Sequence, residues 1–301
     1  MQTDKGGVLF VVGSFLLWGF MPIYWKHLEH VASEEILSGR VVWAFVSTFL
    51  AVLLMKNGKQ LWSDVKELWS KQKQFWSLFL AAVLVTGNWF IYIWAVNHDF
   101  IVQTSLGYYI NPLVSVLLGL FFLKEKLSTA QMIAFLLAVI GVVLLTISYG
   151  SIPWIALSLA LTFAFYGFIK KNIQLDALRG LAIETAFIVP VAAGYYFFIF
   201  AKGQVAFLHG DFKTDLLLIG TGIATALPLL LYAKGIQKIP LYMAGFIQYI
   251  APTMMLFIGV VIYNESFGKM ELLSFSIIWA GLILFTVSKV YESVVTKRSV
   301  Q

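Results

Sequence analysis

The sequence contains no cysteine and few charged residues. The lack of cysteine excludes disulfides, thiolate metal sites and a cysteine nucleophile. Charged residues make up only 12% of the 301 residues, while hydrophobic residues make up 60%. An ordinary soluble domain is roughly 45–50% apolar and about 25% charged. Folded in water, this chain would have too few charged groups to solvate its surface, so its composition indicates an integral membrane protein.

Long apolar runs supply what a membrane protein needs. A spanning helix takes about 20 mostly apolar residues, and ten runs meet that requirement. They cover residues 7–25, 36–55, 76–96, 101–123, 129–148, 152–169, 180–200, 214–233, 240–263 and 271–289. The first run is interpreted as a retained helix, because no small-residue cleavage site follows it. The one long polar connection, residues 56–74, predicts a short helix lying on the membrane surface.

The positions of the basic residues predict the orientation. With the N-terminus inside, 16 of the 21 basic residues fall in inner segments and four in outer loops, leaving Arg40 within an apolar run. This bias follows the positive-inside rule and predicts two cytoplasmic termini. The net charge of +6 is therefore attributed to membrane topology, and no nucleic-acid partner is expected.

The sequence also repeats itself. A shift of 140 residues pairs Pro112 with Pro252, Tyr109 with Tyr249, Gly119 with Gly259, Glu125 with Glu265, and Gly141 with Gly281. We therefore predict an all-α fold of two five-helix repeats, over residues 7–148 and 151–289. Five is an odd number, so the second repeat has inverted topology. Such repeats are common in secondary transporters. Channels also use them, and an old duplication without mechanistic meaning is the alternative.

Two ionisable residues lie at membrane depth, where a charge is costly unless it faces a cavity or a partner. Arg40 lies just inside the outer end of the second run, and Glu184 just inside the inner end of the seventh. We expect each side chain to line one vestibule, without a direct salt bridge between them. The alternative is that each one snorkels to an interface and is structural.

A polar and aromatic set lies near the predicted midplane. It comprises Trp18, Asn88, Trp89, Tyr92, Tyr108, Tyr109, Asn111, Tyr166, Tyr232, Gln248 and Tyr249. Aromatic rings with hydroxyls and amides suit a cavity for an organic solute. They also suit interhelical hydrogen bonding. Pro112 and Pro252 are hinge candidates, because proline frees a backbone carbonyl and allows a helix to bend.

Other polar groups indicate structure rather than chemistry. Glu125 and Glu265 precede predicted helix starts, where the helix dipole favours a carboxylate. Ser128 and Gln131 form a predicted capping box. No zinc, phosphate-loop, dinucleotide or nucleophile-elbow pattern occurs, so no cofactor and no enzyme activity are expected. A metal site is not expected from the histidines, which fall in outer loops: His27, His30, His98 and His209.

Several stretches carry a family resemblance. They are LLWGFMPIYWKHL at 16–28, EILSGRVVW at 35–43, NWFIYIWAVN at 88–97, SLGYYINPLVSVLLG at 105–119, FYGFIKK at 165–171, ETAFIVP at 184–190 and GFIQYIAP at 245–252. With them the chain resembles the drug/metabolite transporter superfamily, in its EamA-type, RarD-like branch. The resemblance implies a ten-helix basket with a central cavity, braced by the fifth and tenth helices. Gly39 stands where this family would have a histidine, which argues against a titratable group beside Arg40.

The resemblance also implies a function, namely a permease that moves small metabolites or drugs without ATP. We expect a secondary active transporter of the bacterial cytoplasmic membrane that works by alternating access. Arg40 would attract an anionic group, such as the carboxylate of an amino-acid-like solute, and Glu184 would couple transport to protons. The expected partners are the lipid bilayer and a small-molecule substrate, with the protein a monomer or homodimer. The alternatives are a channel-like facilitator and, less favoured, a membrane-embedded enzyme.

Overall fold

The structure is a computed structural model that describes residues 4–98, 100–150, 152–203, 205–264 and 267–298. Over those residues it contains helices and short turns, with no strand. The helices are α1 Lys5–Lys26, α2 Ser33–Leu54, α3 Gly58–Ser70, α4 Gln72–Asn97, α5 Ile101–Phe122, α6 Thr129–Tyr149, α7 Trp154–Asn172, α8 Ala177–Ala201, α9 Phe212–Ile236, α10 Leu241–Gln248, α11 Ile250–Phe257 and α12 Lys269–Arg298. Glu265 lies outside the described residues.

Ten segments of the described chain are long and apolar enough to cross a membrane. The predicted number of spans is therefore confirmed. Each of α1, α2, α4 to α9 and α12 supplies one span, and α10 and α11 together supply the ninth. Because successive spans alternate in direction, an even number brings both ends of the chain to one side, which we call the terminal face. The other side is called the opposite face.

Helix α3 is the short helix predicted between the second and third spans. It buries Leu68 in a cluster with Leu78 of α4 and Ile183 of α8. An ion pair of 2.5 Å between Arg179 Nε and Asp64 Oδ2 attaches it to α8. The following span begins at Gln72 rather than at residue 76, because α4 extends one further turn toward α3.

The ninth span is broken, although its apolar run predicted one helix. Helix α10 ends at Gln248, α11 begins at Ile250, and a π-helical turn follows at Ile258–Ile262. Pro252 has no N–H, so the carbonyl of Gln248, four residues earlier, loses its helical partner. That is where the helix is interrupted. Helix α5, by contrast, runs without a break through Pro112.

The fifth and tenth spans pack closely along each other. A Cβ added to Gly141 of α6 would lie 2.5 Å from Ile278 Cγ1 and 2.8 Å from the Ser274 carbonyl, both of α12. A Cβ added to Gly281 of α12 would lie 2.8 Å from the Ala134 carbonyl of α6. Two glycines thus let these backbones approach, as small residues do between membrane helices.

Of the predicted helix caps described by the structure, one is present as expected and one lies at the start of a different helix. The capping box of Ser128 and Gln131 opens α6. Glu125 also lies at a helix start, but at that of α10 rather than that of α6. Its carboxylate accepts hydrogen bonds from the backbone N–H groups of Leu241 (2.7 Å) and Tyr242 (2.9 Å). A carboxylate on two free N–H groups satisfies donors that have no partner within their own helix.

Candidate functional site

Arg40 of α2 is held by aromatic rings and a hydroxyl. Its guanidinium carbon lies 4.4 Å from the ring centre of Trp89 and 5.2 Å from that of Trp25. Its Nε donates a hydrogen bond of 3.1 Å to Thr225 Oγ1 of α9. No carboxylate in the described chain forms an ion pair with it. Cation–π contacts stabilise a desolvated cation and leave its terminal N–H groups available.

Two tyrosines complete the surroundings of Arg40. Tyr92 of α4 and Tyr108 of α5 pack edge to face with ring centres 6.1 Å apart, and both lie close enough to interact electrostatically with the guanidinium. Asn88, one turn before Tyr92, does not join them. Its Nδ2 donates to the Leu159 carbonyl (2.8 Å) and to Thr162 Oγ1 (2.9 Å) of α7. Asn88 therefore serves interhelical packing.

A second aromatic group surrounds Tyr232 of α9. Its ring centre lies 5.9 Å from that of Trp18 and 6.2 Å from that of Tyr166, which it stacks on. Tyr232 and Tyr166 are fully buried; the Tyr232 hydroxyl has no hydrogen-bond partner among the described residues, and the Tyr166 hydroxyl faces the Glu184 carboxylate. A Cβ at Gly167 would lie 2.2 Å from the Tyr232 hydroxyl, so only glycine leaves room for that ring.

Glu184 of α8 is paired with Lys170 of α7. Lys170 Nζ lies 2.5 Å from Glu184 Oε1, and the two side chains are 1% and 3% exposed. This differs from the sequence-based interpretation, which counted Lys170 among solvated inner charges and left Glu184 alone in a vestibule. The physical reason is the long lysine stem, which carries the ammonium from a helix end into the protein. Arg40 and Glu184 form no ion pair with each other.

A small cavity lies beside Glu184. It has a volume of about 20 Å³ and lies between α2, α4, α8 and α9. Trp89 and Glu184 both line it, together with Thr86, Thr185 and apolar side chains. A cavity needs about 10–15 Å³ to hold a water molecule. This cavity therefore has room for about one water molecule and none for an organic solute.

The remaining predicted lining residues mostly hold α5 against α10 and α11. The Tyr109 hydroxyl donates to the Pro252 carbonyl (3.1 Å), and the Tyr249 hydroxyl donates to the Tyr109 carbonyl (3.2 Å). Gln248 Nε2 donates to Ser115 Oγ at 3.1 Å. Asn111 Oδ1 and Gln248 Oε1 are buried and have no partner in the described structure. The structure thus divides the predicted set into a group around Arg40, a group around Tyr232 and this crossing.

A larger polar cavity opens on the opposite face. Its volume is about 490 Å³, and its lining includes Lys26, His27, Glu29, His30 and Lys213. Asp211 also lines it and caps α9. Hydrogen bonds from the side chain and backbone of Thr214 hold the pKa of the Asp211 carboxyl below its usual range. Among the described residues no group of three His, Asp or Glu side chains could hold a metal ion.

Three residues of the central site were not predicted. Trp25 and Thr225 contact Arg40, and Lys170 contacts Glu184. Thr225 is a lone hydroxyl in an apolar run, which carries no signal by itself. Lys170 offered one, because it directly follows the apolar run of α7, with Tyr166 and Phe168 four and two residues before it.

Ten apolar segments of membrane-spanning length in the described chain, packed around Arg40 and Glu184, define a multi-pass membrane protein. A model of the EamA-like transporter family matches residues 5–147 and again residues 151–287. The chain is 46% identical to transporter YojE of Bacillus subtilis strain 168 over 287 residues, which is 95% of either chain. It is 40% identical to protein RarD of Escherichia coli K12 over 290 residues, 96% of this chain and 97% of that one.

The chain therefore belongs to the EamA-like transporter family and is a membrane transporter of the RarD-like type. Chloramphenicol-sensitive protein RarD of Pseudomonas aeruginosa is 27% identical over 94% of each chain. A solved crystal structure that is 17% identical superposes with a TM-score of 0.68 over 95% of this chain and 98% of the other. At that identity the likeness shows the fold alone.

Proposed function

We propose that this transporter is a secondary active permease that moves a small organic metabolite, amino-acid-like solute or drug across the bacterial cytoplasmic membrane by alternating access. The observation that carries the proposal is a pair of separate charged sites connected by Trp89, which contacts Arg40 and lines the cavity that Glu184 also lines. Arg40, without a carboxylate partner in the described chain, lies behind Trp89, and Glu184 lies on another part of the cavity wall. A site with both signs of charge and aromatic walls suits an organic solute that carries an ionised group.

Arg40 is the proposed recognition site for an anionic group. Thr225 occupies its Nε, while no described group bonds its terminal nitrogens. Those nitrogens form the planar fork that binds a carboxylate through two parallel hydrogen bonds. Trp89, Tyr92 and Tyr108 provide aromatic surface for the rest of the solute. The carboxylate of an amino-acid-like solute fits this arrangement.

Glu184 is the proposed coupling residue. It is a buried carboxylate whose Oε2 has no partner in the described structure, and it lies on the cavity wall. A carboxylate in that position can exchange a proton as access changes from one face to the other. Pro112 and Pro252 are the proposed hinges. The break of the ninth span just before Pro252 supports the second of them.

Reciprocal contacts support two inverted repeats over residues 7–148 and 151–289. Gly141 of α6 packs on α12, and Gly281, its counterpart, packs on α6. Helix α1 packs on α9, α10 and α11, while its counterpart α7 packs on α4 and α5. Contacts exchanged in this way are what a pseudo-two-fold axis between the repeats predicts. The 16 basic residues on the terminal face support its assignment to the cytoplasm.

The test begins by finding the solute. Candidate metabolites and drugs are screened for thermal stabilisation of the purified protein, because a ligand at 100 times its Kd adds about 2.7 kcal/mol to the stability of the folded state. The best ligand is then supplied to proteoliposomes with and without a pH gradient. A secondary transporter accumulates it above the outside concentration. Equilibration without accumulation would identify a facilitator and contradict the proposal.

A further inference from the structure

The side chain of Lys170 extends into the protein, although the residue lies near the end of its helix, close to the aqueous interface. It lies two residues before the end of α7 at the terminal face. Lysines in such positions ordinarily extend their stems toward the interface and keep the ammonium in water. Here the side chain is 1% exposed and reaches Glu184, the eighth residue of α8. Seven residues at 1.5 Å each place that carboxylate about 10 Å beyond the helix start.

Among the described residues, Lys170 is the one charged group that faces Glu184. Helix α7 also presents Tyr166 to it, and Tyr232 of α9 stacks on Tyr166. Helices α2 and α4 contribute the neutral residues Val41, Thr86 and Trp89 to the cavity beside it. A buried charge that loses its partner is strongly destabilised. Glu184 can therefore release Lys170 only when another cation takes its place.

The surroundings of Glu184 can receive such a cation. Lys170 occupies Oε1 and the Tyr166 hydroxyl faces the carboxylate, while Oε2 and the Tyr232 hydroxyl are buried without a direct hydrogen bond in the described structure. The adjoining cavity of about 20 Å³ has room for about one water molecule. This space admits a proton and is too small for a hydrated metal ion in this conformation.

The same end of α7 is held closed by further contacts. Lys171 Nζ donates to the carbonyls of Ile236 and Ile239 at the end of α9. Gln237 Nε2 donates to the Ile173 carbonyl at 3.1 Å. The Lys170–Glu184 pair joins α7 to α8 at the same place, so the three spans are linked at the terminal face.

We propose that Lys170 is a tethered counter-cation of Glu184 that keeps the terminal face closed, and that a proton binding to Glu184 displaces it and lets that face open. An O–H bond forms on the carboxyl, and Lys170 remains an ammonium that extends its stem into water. The buried site gains one positive charge and loses one, so it stays neutral. The inference rests on the proposed function, in which Glu184 is the coupling residue.

The test uses the natural absence of cysteine. Ala177→Cys places one thiol at the start of α8, where the native side chain is buried. Ser70→Cys, on an exposed position of α3, serves as the reference. The rate of maleimide labelling is measured in proteoliposomes across about pH 5.5–8, and each rate is divided by that of the reference at the same pH. We expect the normalised rate to rise as the pH falls, by up to about tenfold per unit, the limit for one proton.

Variants distinguish an effect of the Lys170–Glu184 ion pair from a general loosening of the fold. Glu184→Gln should label fast at every pH, because Lys170 has no anion to hold it. The double variant Lys170→Met/Glu184→Gln should keep a Tm close to that of the wild type and lose the pH response. Lys126→Met, an exposed lysine at the same face, should keep the response.

Three results would each overturn the inference: a normalised rate independent of pH in the wild type, a Glu184→Gln variant as closed as the wild type, or a pH response retained by the double variant. Labelling needs no solute. A chain that responds to pH but accumulates nothing would contradict the proposed function and leave the inference standing.

Discussion

Arg40, which is partly buried, and Glu184, which is fully buried, lie on neighbouring helices, and their charges are stabilised in different ways. Arg40 is covered by two indole rings and bonds one hydroxyl, so its terminal nitrogens stay available. Glu184 is neutralised by Lys170 from within the chain. A group with available donors suits solute recognition, and a group with an internal counter-ion suits an exchange of cations. The two residues therefore serve different steps of transport in our proposal.

Removing one member of the buried pair should cost more than removing both. Lys170→Met is expected to lower the free energy of unfolding by about 3–5 kcal/mol, because it leaves an uncompensated carboxylate. Lys170→Met/Glu184→Gln should recover most of that loss. Unfolding of the purified variants in mixed micelles measures both effects, with Lys126→Met as the control. A double variant less stable than Lys170→Met would show that the pair stabilises the fold in some other way.

Arg40 should recognise the anionic group of the solute by its geometry as well as by its charge. Once a solute is found, Arg40→Gln is expected to weaken its binding by tenfold or more, on the order of 1.4 kcal/mol. Arg40→Lys should restore little, because an ammonium cannot form the two parallel bonds of a guanidinium. Isothermal titration of the wild type and both variants measures the affinities. Wild-type affinity in Arg40→Lys would mean that charge alone is recognised.

Among the elements, the ninth span differs most from its sequence pattern. Its start depends on Glu125, which reaches across from the loop between α5 and α6 to cap α10. Its middle is interrupted at Tyr249, where the hydroxyl of that residue holds α5. The element best placed to move is thus fixed at two points to one neighbour, so that α5 and the ninth span are expected to move together.

The cap of α10 can be tested through Gly119 of α5. A Cβ there would lie 2.4 Å from Glu125 Oε2 and would displace the carboxylate. Gly119→Ala should therefore lower the free energy of unfolding by about 0.5–2 kcal/mol, as the loss of a helix cap does. Gly87→Ala on α4 is the matched control, since a Cβ there meets nothing within 4 Å. Equal stability of the two variants would contradict the role of Glu125.

At the scale of the whole molecule, the pairing of α6 with α12 braces the bundle away from Arg40 and Glu184. Gly141→Ala and Gly281→Ala should each cost about 1–3 kcal/mol of stability, because overpacking forces the two backbones apart. Solute affinity should stay within twofold of the wild type. Gly194→Ala on α8, where a Cβ has open space, is the control. A large loss of affinity in either variant would show that the brace shapes the binding site.

The site was predicted from the sequence in part. Arg40, Trp89, Tyr92 and Tyr108 were named, and the structure brings them together. Tyr109 and Tyr249 were named with them, yet their hydroxyls bond across the crossing of α5 with the ninth span. The sequence does not distinguish a midplane tyrosine that lines the site from one that holds two helices together. It indicates how deep in the membrane the residue lies, but not which neighbouring helix its side chain contacts.

The sequence by itself determined the ten spans and the sites of the connecting loops. In lipid each span must satisfy its own backbone hydrogen bonds and be apolar along its length, so the requirement is local and visible in the order of residues. Only the tertiary structure decided that Lys170 turns inward to Glu184, that Trp25 and Thr225 hold Arg40, and that Glu125 caps α10. Those contacts join residues on different helices. They depend on how the helices are rotated against one another and on how far a long side chain can reach.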